Sequence, residues 1–428
     1  MKLRSYDSIG EQVYSEKLAN GLPVFVIPKR GYSKSYAFFA THYGGADRRF
    51  RHGGKWIDTP EGVAHFLEHK MFDTKDGDAL SALSANGASP NAFTSTDITA
   101  YHFESVEKFD ENLRLLLNFV SVPYFTAESV AKEQGIIGQE IKMGDDDPDF
   151  VLYYGLMKAL YKYHPLRDSV AGTIDTIAEI TPDTLYACHK EFYNPSNMVL
   201  CVIGDVEPEK VFSISRSVLP EEPGDIPARD YGPDEAPESF SERFEKEMEV
   251  SIPQFILGYK LTPSGHGAEA LTTALIGDLA MRLIAGRTSP LYTRLYESGL
   301  INAAFDCGCE SCADRLHAML YGESSDPDAV ADAIRLEIGR YRTCGIGKEY
   351  FEKTKRALTG KLIRSLDSFE NVAYSYAYSY FRGFDVFDSV DVLRKITPDD
   401  IMAFIKSDLS DPRSALAVIS PLSKTDDA

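Results

Sequence analysis

Two stretches of the chain repeat one another. IAEITPDTLYACHKEFYNPSNMVLCVIG at 177–204 is echoed by LRKITPDDIMAFIKSDLSDPRSALAVIS at 393–420, with ITPD at 180–183 and again at 396–399. The apolar runs MVLCVIG and SALAVIS keep the same offset of 216 residues. A threonine hydroxyl followed by proline both caps and starts a helix, so Thr181 and Thr397 are read as N-caps. A buried strand follows in each copy. One shared tetrapeptide could be coincidence, but helix, turn and strand in matching order predict a duplicated architecture.

Between the copies, PEEPGDIPARDYGPDEAPESF at 220–240 holds five prolines, seven acids and one arginine. That composition reads as an acidic, Pro-rich linker between residues 1–219 and residues 241–428, each long enough for one domain. Hairpin-like and helical runs alternate irregularly within each half. The fold class expected is therefore α+β: two structurally similar duplicated domains, each a mostly antiparallel sheet packed with helices. With a net charge of −20 over 428 residues, nucleic acid and anionic membrane surfaces are poor partners. MKLRSYDSIGEQVYSEKL has no apolar signal core, no run is long enough to span a bilayer, and six cysteines do not make a disulfide framework. A cytoplasmic location is expected.

Only nine histidines occur, yet EGVAHFLEHKMF (61–72) places two of them four apart around a glutamate. Thr59-Pro60-Glu61 reads as a helix start, and Val63, Phe66, Leu67 and Phe72 as the anchors of a packed helix. At helical spacing His65 and His69 stack on one face, and Glu68 lies one turn from His65. Two satisfied core histidines would be the plain explanation. Two imidazoles sharing one metal ion is the sharper one, and it requires a third protein ligand. TAESVAKEQGIIGQEIKM (126–143) reads as a capped helix with Glu133 and Glu140 seven apart on one side. Ile136 and Ile137 between them suggest a substantially buried helix, in which an acid needs a partner.

These residues together resemble the insulinase/pitrilysin family, whose inverted zinc motif is HxxEH with a distal glutamate. The likeness runs from about residue 8 to residue 420 and looks closest to bacterial YmfH-like members. It includes GASPNAFTSTDITAYHF (87–103), similar to the family's substrate-binding edge strand, and FYNPSNMVLCVIGDV (192–206), similar to its FYxPxN strand entry. The resemblance implies one Zn2+ per chain held by His65, His69 and Glu140, with Glu68 as general base and Glu133 orienting the site. It also implies that Asn91, Ala92 and Phe93 lie on a strand whose backbone pairs with an extended peptide, and that the chain is a zinc metallo-endopeptidase acting on short or unstructured peptides.

The second half departs from the pattern. Thr354 falls opposite Glu133, Lys361 opposite Glu140, and ALTTALIGDLAMRLIAG (270–286) has no histidine. The family's Arg and Tyr, seven apart, would fall at Leu295 and Asn302; Arg294 and Tyr296 lie nearby with the wrong spacing. The resemblance then implies a heterodimer with a homologous zinc-free subunit that carries the Arg/Tyr pair, or failing that a homodimer. The rival expectation is a non-catalytic structural or assembly subunit that keeps the fold. CGCESC (307–312) offers three close thiols but no spaced second pair, so reactive thiols are favoured over a metal site. GDDDPDF (144–150) reads as a solvated loop, His102 and His164 as structural, and YSYAYSYF (374–381) as helix packing.

Overall fold

The structure is a computed structural model that describes residues 1–263 and 265–423. The chain forms two compact units, residues 1–141 with 169–231 and 363–388, and residues 142–168 with 232–362 and 389–428.

The first unit is built on seven strands: β1 (Lys2–Tyr6), β2 (Glu11–Lys17), β3 (Pro23–Pro28), β4 (Ser35–Thr41), and then, beyond the hairpins β5 (Arg49–His52)/β6 (Lys55–Asp58) and β7 (Asp73–Thr74)/β8 (Gly77–Asp78), β9 (Ala88–Thr94), β10 (Thr99–Ser105) and β11 (Met198–Gly204). Their order is β1-β2-β3-β11-β4-β10-β9, antiparallel except between β3 and β11. Central strands are apolar on both faces because helices cover both. Met198, Leu200 and Val202 of β11 join one core, with helices Val63–Met71, Phe109–Ser121, Pro182–Phe192 and Pro208–Val218. Val199, Cys201 and Ile203 face the other way, against Phe369, Val372, Tyr376 and Ala377 of helix Phe369–Phe381. Strand alternation thus assigns one tract to two cores.

The second unit has five strands, β12 (Arg243–Met248), β13 (Gln254–Lys260), β14 (Asp306–Cys312), β15 (Arg315–Glu323) and β16 (Ser414–Pro421), ordered β12-β16-β13-β15-β14. β12 and β16 are parallel and the other pairs antiparallel. Taken in chain order, these five strands have the same spatial order as β3, β4, β9, β10 and β11, with the last strand inserted between the first and second. The fold is therefore α+β and duplicated. Both ITPD helices start as expected: Thr181 accepts from the Thr184 N–H, and Thr397 forms a full capping box with Asp400.

The unit boundaries differ from the contiguous stretches 1–219 and 241–428. Helix Pro148–Leu160, from the N-terminal half, packs Leu152, Leu156 and Met157 onto Ile256, Ala415, Ala417 and Ile419 of the second sheet. Helix Phe369–Phe381, from the C-terminal half, covers the first sheet. The exchange is specific in shape: a Cβ on Gly155 would sit 2.3 Å from the Phe244 ring, so β12 and the helix meet where only glycine leaves room. Residues 220–240 are not a free linker either. In the first unit Ala228 accepts the Arg51 N–H (3.0 Å), Asp230 donates its N–H to Arg49 (2.9 Å), and Arg229 pairs with the buried Asp47 (2.9 Å). GDDDPDF likewise is no loop, since helix Ala127–Asp146 runs through its first acids and Asp147 caps the next helix.

Candidate metal centre

Helix Val63–Met71 begins three residues later than its sequence suggests. Thr59 donates its hydroxyl to Arg48 O (3.0 Å) and Glu61 pairs with Arg48, so neither caps the helix. Gly62 precedes it with φ 90°, and a Cβ there would lie 2.5 Å from Ala171 O. A left-handed, close-packed residue fits only glycine, and this fixes where the helix starts. Val63, Ala64, Phe66, Leu67 and Met71 then bury into the core, which leaves His65 and His69 at its margin, 19% and 21% exposed.

The second helix, Ala127–Asp146, buries Val130, Ile137 and Ile141. It is less buried than expected: Ile136 is 43% exposed, and one apolar stripe rather than the whole circumference faces the core. Glu133 lies one turn before Ile137 and Glu140 one turn after, so both carboxylates border that stripe. The fold brings His65, His69 and Glu140 together, one ligand atom of each lying within 4.8 Å of the others. Glu140 Oε2 is 3.7 Å from His65 Nε2 and 3.5 Å from His69 Nε2. Among the described residues this is the one group of three or more His, Cys, Asp or Glu side chains placed to hold a metal.

Neighbouring groups prepare the donors. Glu133 Oε1 meets His69 Nδ1 at 3.1 Å, which turns Nε2 toward Glu140. That is the arrangement in which a ligating histidine keeps its other nitrogen on a carboxylate. His65 has no such partner, because its buried Nδ1 makes no hydrogen bond. Burial, aided by His69, pushes the His65 pKa down to about 4, so it is a neutral imidazole suited to ligation. Burial acts on His69 in the same direction, but the bond from Glu133 and the charges of Glu140 and Glu68 outweigh it and raise its pKa. Two imidazole nitrogens and one carboxylate oxygen are a donor set of the kind that holds zinc.

Two residues at this site carry roles that the sequence did not assign to them. Lys70, 1% exposed, pairs with Asp73 and lies 3.7 Å from Glu133 Oε2. It faces the oxygen of Glu133 that His69 does not use. Against the cost of burial, His69 and Lys70 together carry the Glu133 pKa below its usual range. A lysine inside the apolar run HFLEHKMF was the available signal. Thr94, at the end of β9, donates its hydroxyl to Glu68 Oε2 (2.6 Å) and fixes that side chain. Burial raises the Glu68 pKa, although the Thr94 bond and His69 oppose it.

Asn91, Ala92 and Phe93 lie on β9, the edge of the seven-stranded sheet, three residues or fewer from Thr94. Asn91 is exposed and its Oδ1 accepts from the Ala92 N–H (2.9 Å). Phe93 turns to the opposite core, 6.0 Å from Phe38 and 5.7 Å from Tyr374, ring to ring. Thr94 thus links the open strand edge to the buried carboxylate of Glu68 on helix Val63–Met71.

The cysteine motif forms no such site. CGCESC lies wholly in β14, where alternation puts Cys307 and Cys309 on one face and Cys312 on the other. Cys307 bonds to Met281 O (3.4 Å), and Cys312 belongs to the core under helix Pro148–Leu160. Of the histidines read as structural, His102 bonds to Tyr36 (2.8 Å), and His164 takes the Leu166 N–H on one nitrogen and faces Asp314 with the other.

A duplicated α+β fold with a His-His-Glu cluster beside an open sheet edge fits the metallopeptidase class of protein. Residues 52–174 match the family model described as Insulinase (Peptidase family M16), and residues 179–358 match the Peptidase M16 inactive domain. The chain belongs to the insulinase (M16) family of zinc proteases. It is 38% identical over 428 residues to YmfH of Bacillus subtilis (strain 168), described as an uncharacterized zinc protease, which covers 98% of this chain and 99% of that one. A crystal structure of an M16-like peptidase from Alicyclobacillus acidocaldarius superposes with a TM-score of 0.92 at 31% identity, over 96% of this chain and 98% of the other. Pitrilysin shares the fold, with a TM-score of 0.79 at 16% identity over 98% of this chain and 46% of its own. Among the described residues no helix is long and apolar enough to cross a membrane.

Proposed function

We infer that this chain is a zinc-dependent endopeptidase that hydrolyses short or unstructured peptides. The observation that carries this is the convergence of His65, His69 and Glu140 beside Glu68 and the open edge of β9. His65 and His69 would hold the ion through Nε2, and Glu140 through a carboxylate oxygen. When bound, zinc supplies Lewis acidity, which lowers the pKa of a water and polarises a carbonyl. Glu68 is the base. Its raised pKa, held in check by Thr94, suits a group that accepts a proton from water and returns it to the leaving amine. A peptide added as a strand along Asn91–Phe93 would present its main chain next to Glu68, and main-chain pairing would tolerate varied sequences.

A partner subunit is part of this reading. The positions aligned with the Arg/Tyr pair hold other residues, and the nearby Arg and Tyr are engaged elsewhere: Leu295 is buried, Asn302 is bonded to Glu323 (2.6 Å), Arg294 is paired with Glu337 (2.9 Å) and Tyr296 stacks on Tyr292. The partner proposed is a homologous zinc-free subunit that contributes those groups. The decisive experiment pairs zinc analysis with cleavage of a quenched peptide, with and without such a relative. Glu68→Gln should keep one zinc per chain while turnover falls about 10²- to 10⁴-fold. Full hydrolysis by that variant would refute the role of Glu68. Zinc without turnover in the wild-type chain, whatever partner is added, would instead favour an assembly subunit.

A further inference from the structure

The second unit contains a cavity of about 480 Å³ that the metal site does not explain. It opens where helix Pro148–Leu160 leaves part of the sheet uncovered. Leu152, Tyr153, Ile256, Met319 and Tyr321 make its apolar and aromatic walls, and its volume suits a side chain or small ligand. Asp149, Glu310 and Glu323 also line it, and no lysine, arginine or histidine does.

The charged groups of this cavity are all acceptors. Glu323 Oε2 takes a bond from Asn302 (2.6 Å), and Glu310 Oε2 is contacted by the Tyr153 hydroxyl (3.5 Å) and His317 Nε2 (3.3 Å). Among the described residues no lysine or arginine pairs with any of the three carboxylates. Gln254 adds a buried amide oxygen with no hydrogen-bond donor. Against burial, which opposes ionisation, His317 together with Cys312 and Tyr153 carries the Glu310 pKa below its usual range, so its charge persists. Two carboxylates, Asp149 and Glu323, that pair with no basic side chain among the described residues, an amide oxygen without a donor and two tyrosine rings at the walls call for a cation on an apolar stem. The stem would replace water against Leu152, Ile256 and Met319, and the rings favour a cation above their faces.

We propose that this cavity is a binding site for the basic side chain of a peptide, a guanidinium or ammonium on its apolar stem. The site stands apart from hydrolysis and requires no metal. The test is calorimetric titration of the full chain with N-acetyl-arginine N-methylamide and with its neutral isostere, N-acetyl-citrulline N-methylamide. One saturable site for the arginine compound is expected, at least tenfold tighter than for citrulline and weakening as salt rises. Glu323→Gln, which leaves the Glu310–His317 contact intact, should weaken arginine binding about tenfold, and Met319→Trp should abolish it by filling the cavity. Thermal unfolding of each variant shows whether it is folded. Absence of saturable arginine binding, equal affinity for citrulline, or undiminished binding to folded Met319→Trp would each overturn the proposal.

Discussion

Helix Val63–Met71 and helix Ala268–Ala285 pack in the two units of a duplicated fold, and they differ where chemistry would occur. The first turns two imidazoles and a carboxylate to its margin. The second buries Leu271, Leu275, Leu279, Met281, Leu283 and Ile284 and has no histidine. Opposite Glu133 stands Thr354, whose hydroxyl bonds back to Tyr350 O within its own helix (2.9 Å), and opposite Glu140 stands the exposed Lys361. The five strands of the second unit repeat the spatial order of β3, β4, β9, β10 and β11 in the first. A shared scaffold therefore fixes where such helices lie, while a few side chains decide whether a metal can be held there. A fold of this kind persists without its site because apolar packing, not the metal, supplies most of the driving force.

The largest test of this contrast is removal of a ligand. His69→Ala should take bound zinc from one per chain to none by elemental analysis of dialysed protein. Zinc that remained at full stoichiometry would have to sit outside the first unit and would break the comparison. A smaller effect is expected from Lys70→Met, which keeps the stem but releases Glu133 from its cation. Zinc affinity, measured by competition with a chelating dye, should weaken about 10- to 100-fold, since partners behind a ligating histidine commonly contribute that much. Unchanged affinity would make Lys70 a packing residue only.

The smallest effect belongs to the second unit, whose buried charge serves structure. The side chain of Glu235, 3% exposed, accepts the N–H groups of Lys162 (3.1 Å), Tyr163 (2.6 Å) and His164 (2.9 Å) and pairs with Lys260 (2.9 Å). Burial opposes its ionisation, but these donors hold its pKa down at about 2. A carboxylate depressed on folding stabilises above its ordinary range, and that contribution is lost as pH falls toward the folded value. Glu235→Gln should therefore lower the unfolding free energy by on the order of 2 kcal/mol near neutrality. The gap to wild type should narrow from about pH 4.5 down to about pH 2. A gap independent of pH would show that Glu235 acts by shape alone.

Much of this site was legible in the chain because helical period is local. Four-residue spacing places His65 above His69, and seven-residue spacing places Glu133 and Glu140 on one side, whatever surrounds them. Thr94 and Lys70 were not legible as partners. A threonine after Asn-Ala-Phe has no local signature, a lysine inside an apolar run marks itself but not its partner, and each gains its role from a residue 26 or 63 positions away in sequence, Glu68 and Glu133. The helix start was misplaced for the same reason: Thr59 and Glu61 have capping chemistry, but Arg48 engages both and Gly62 sets the turn.

The sequence alone carried the duplication, through a repeated helix–turn–strand segment, and by helical period it set His65 with His69 and Glu133 with Glu140; the choice of Glu140 as third ligand came from the family resemblance. Tertiary structure decided which helix covers which sheet. Helices Pro148–Leu160 and Phe369–Phe381 are as apolar as their neighbours, and periodicity gives a helix an apolar face without naming the surface that face will cover. That choice was settled by shape, as where Gly155 meets Phe244, and shape complementarity between segments some ninety residues apart exists only once the chain has folded.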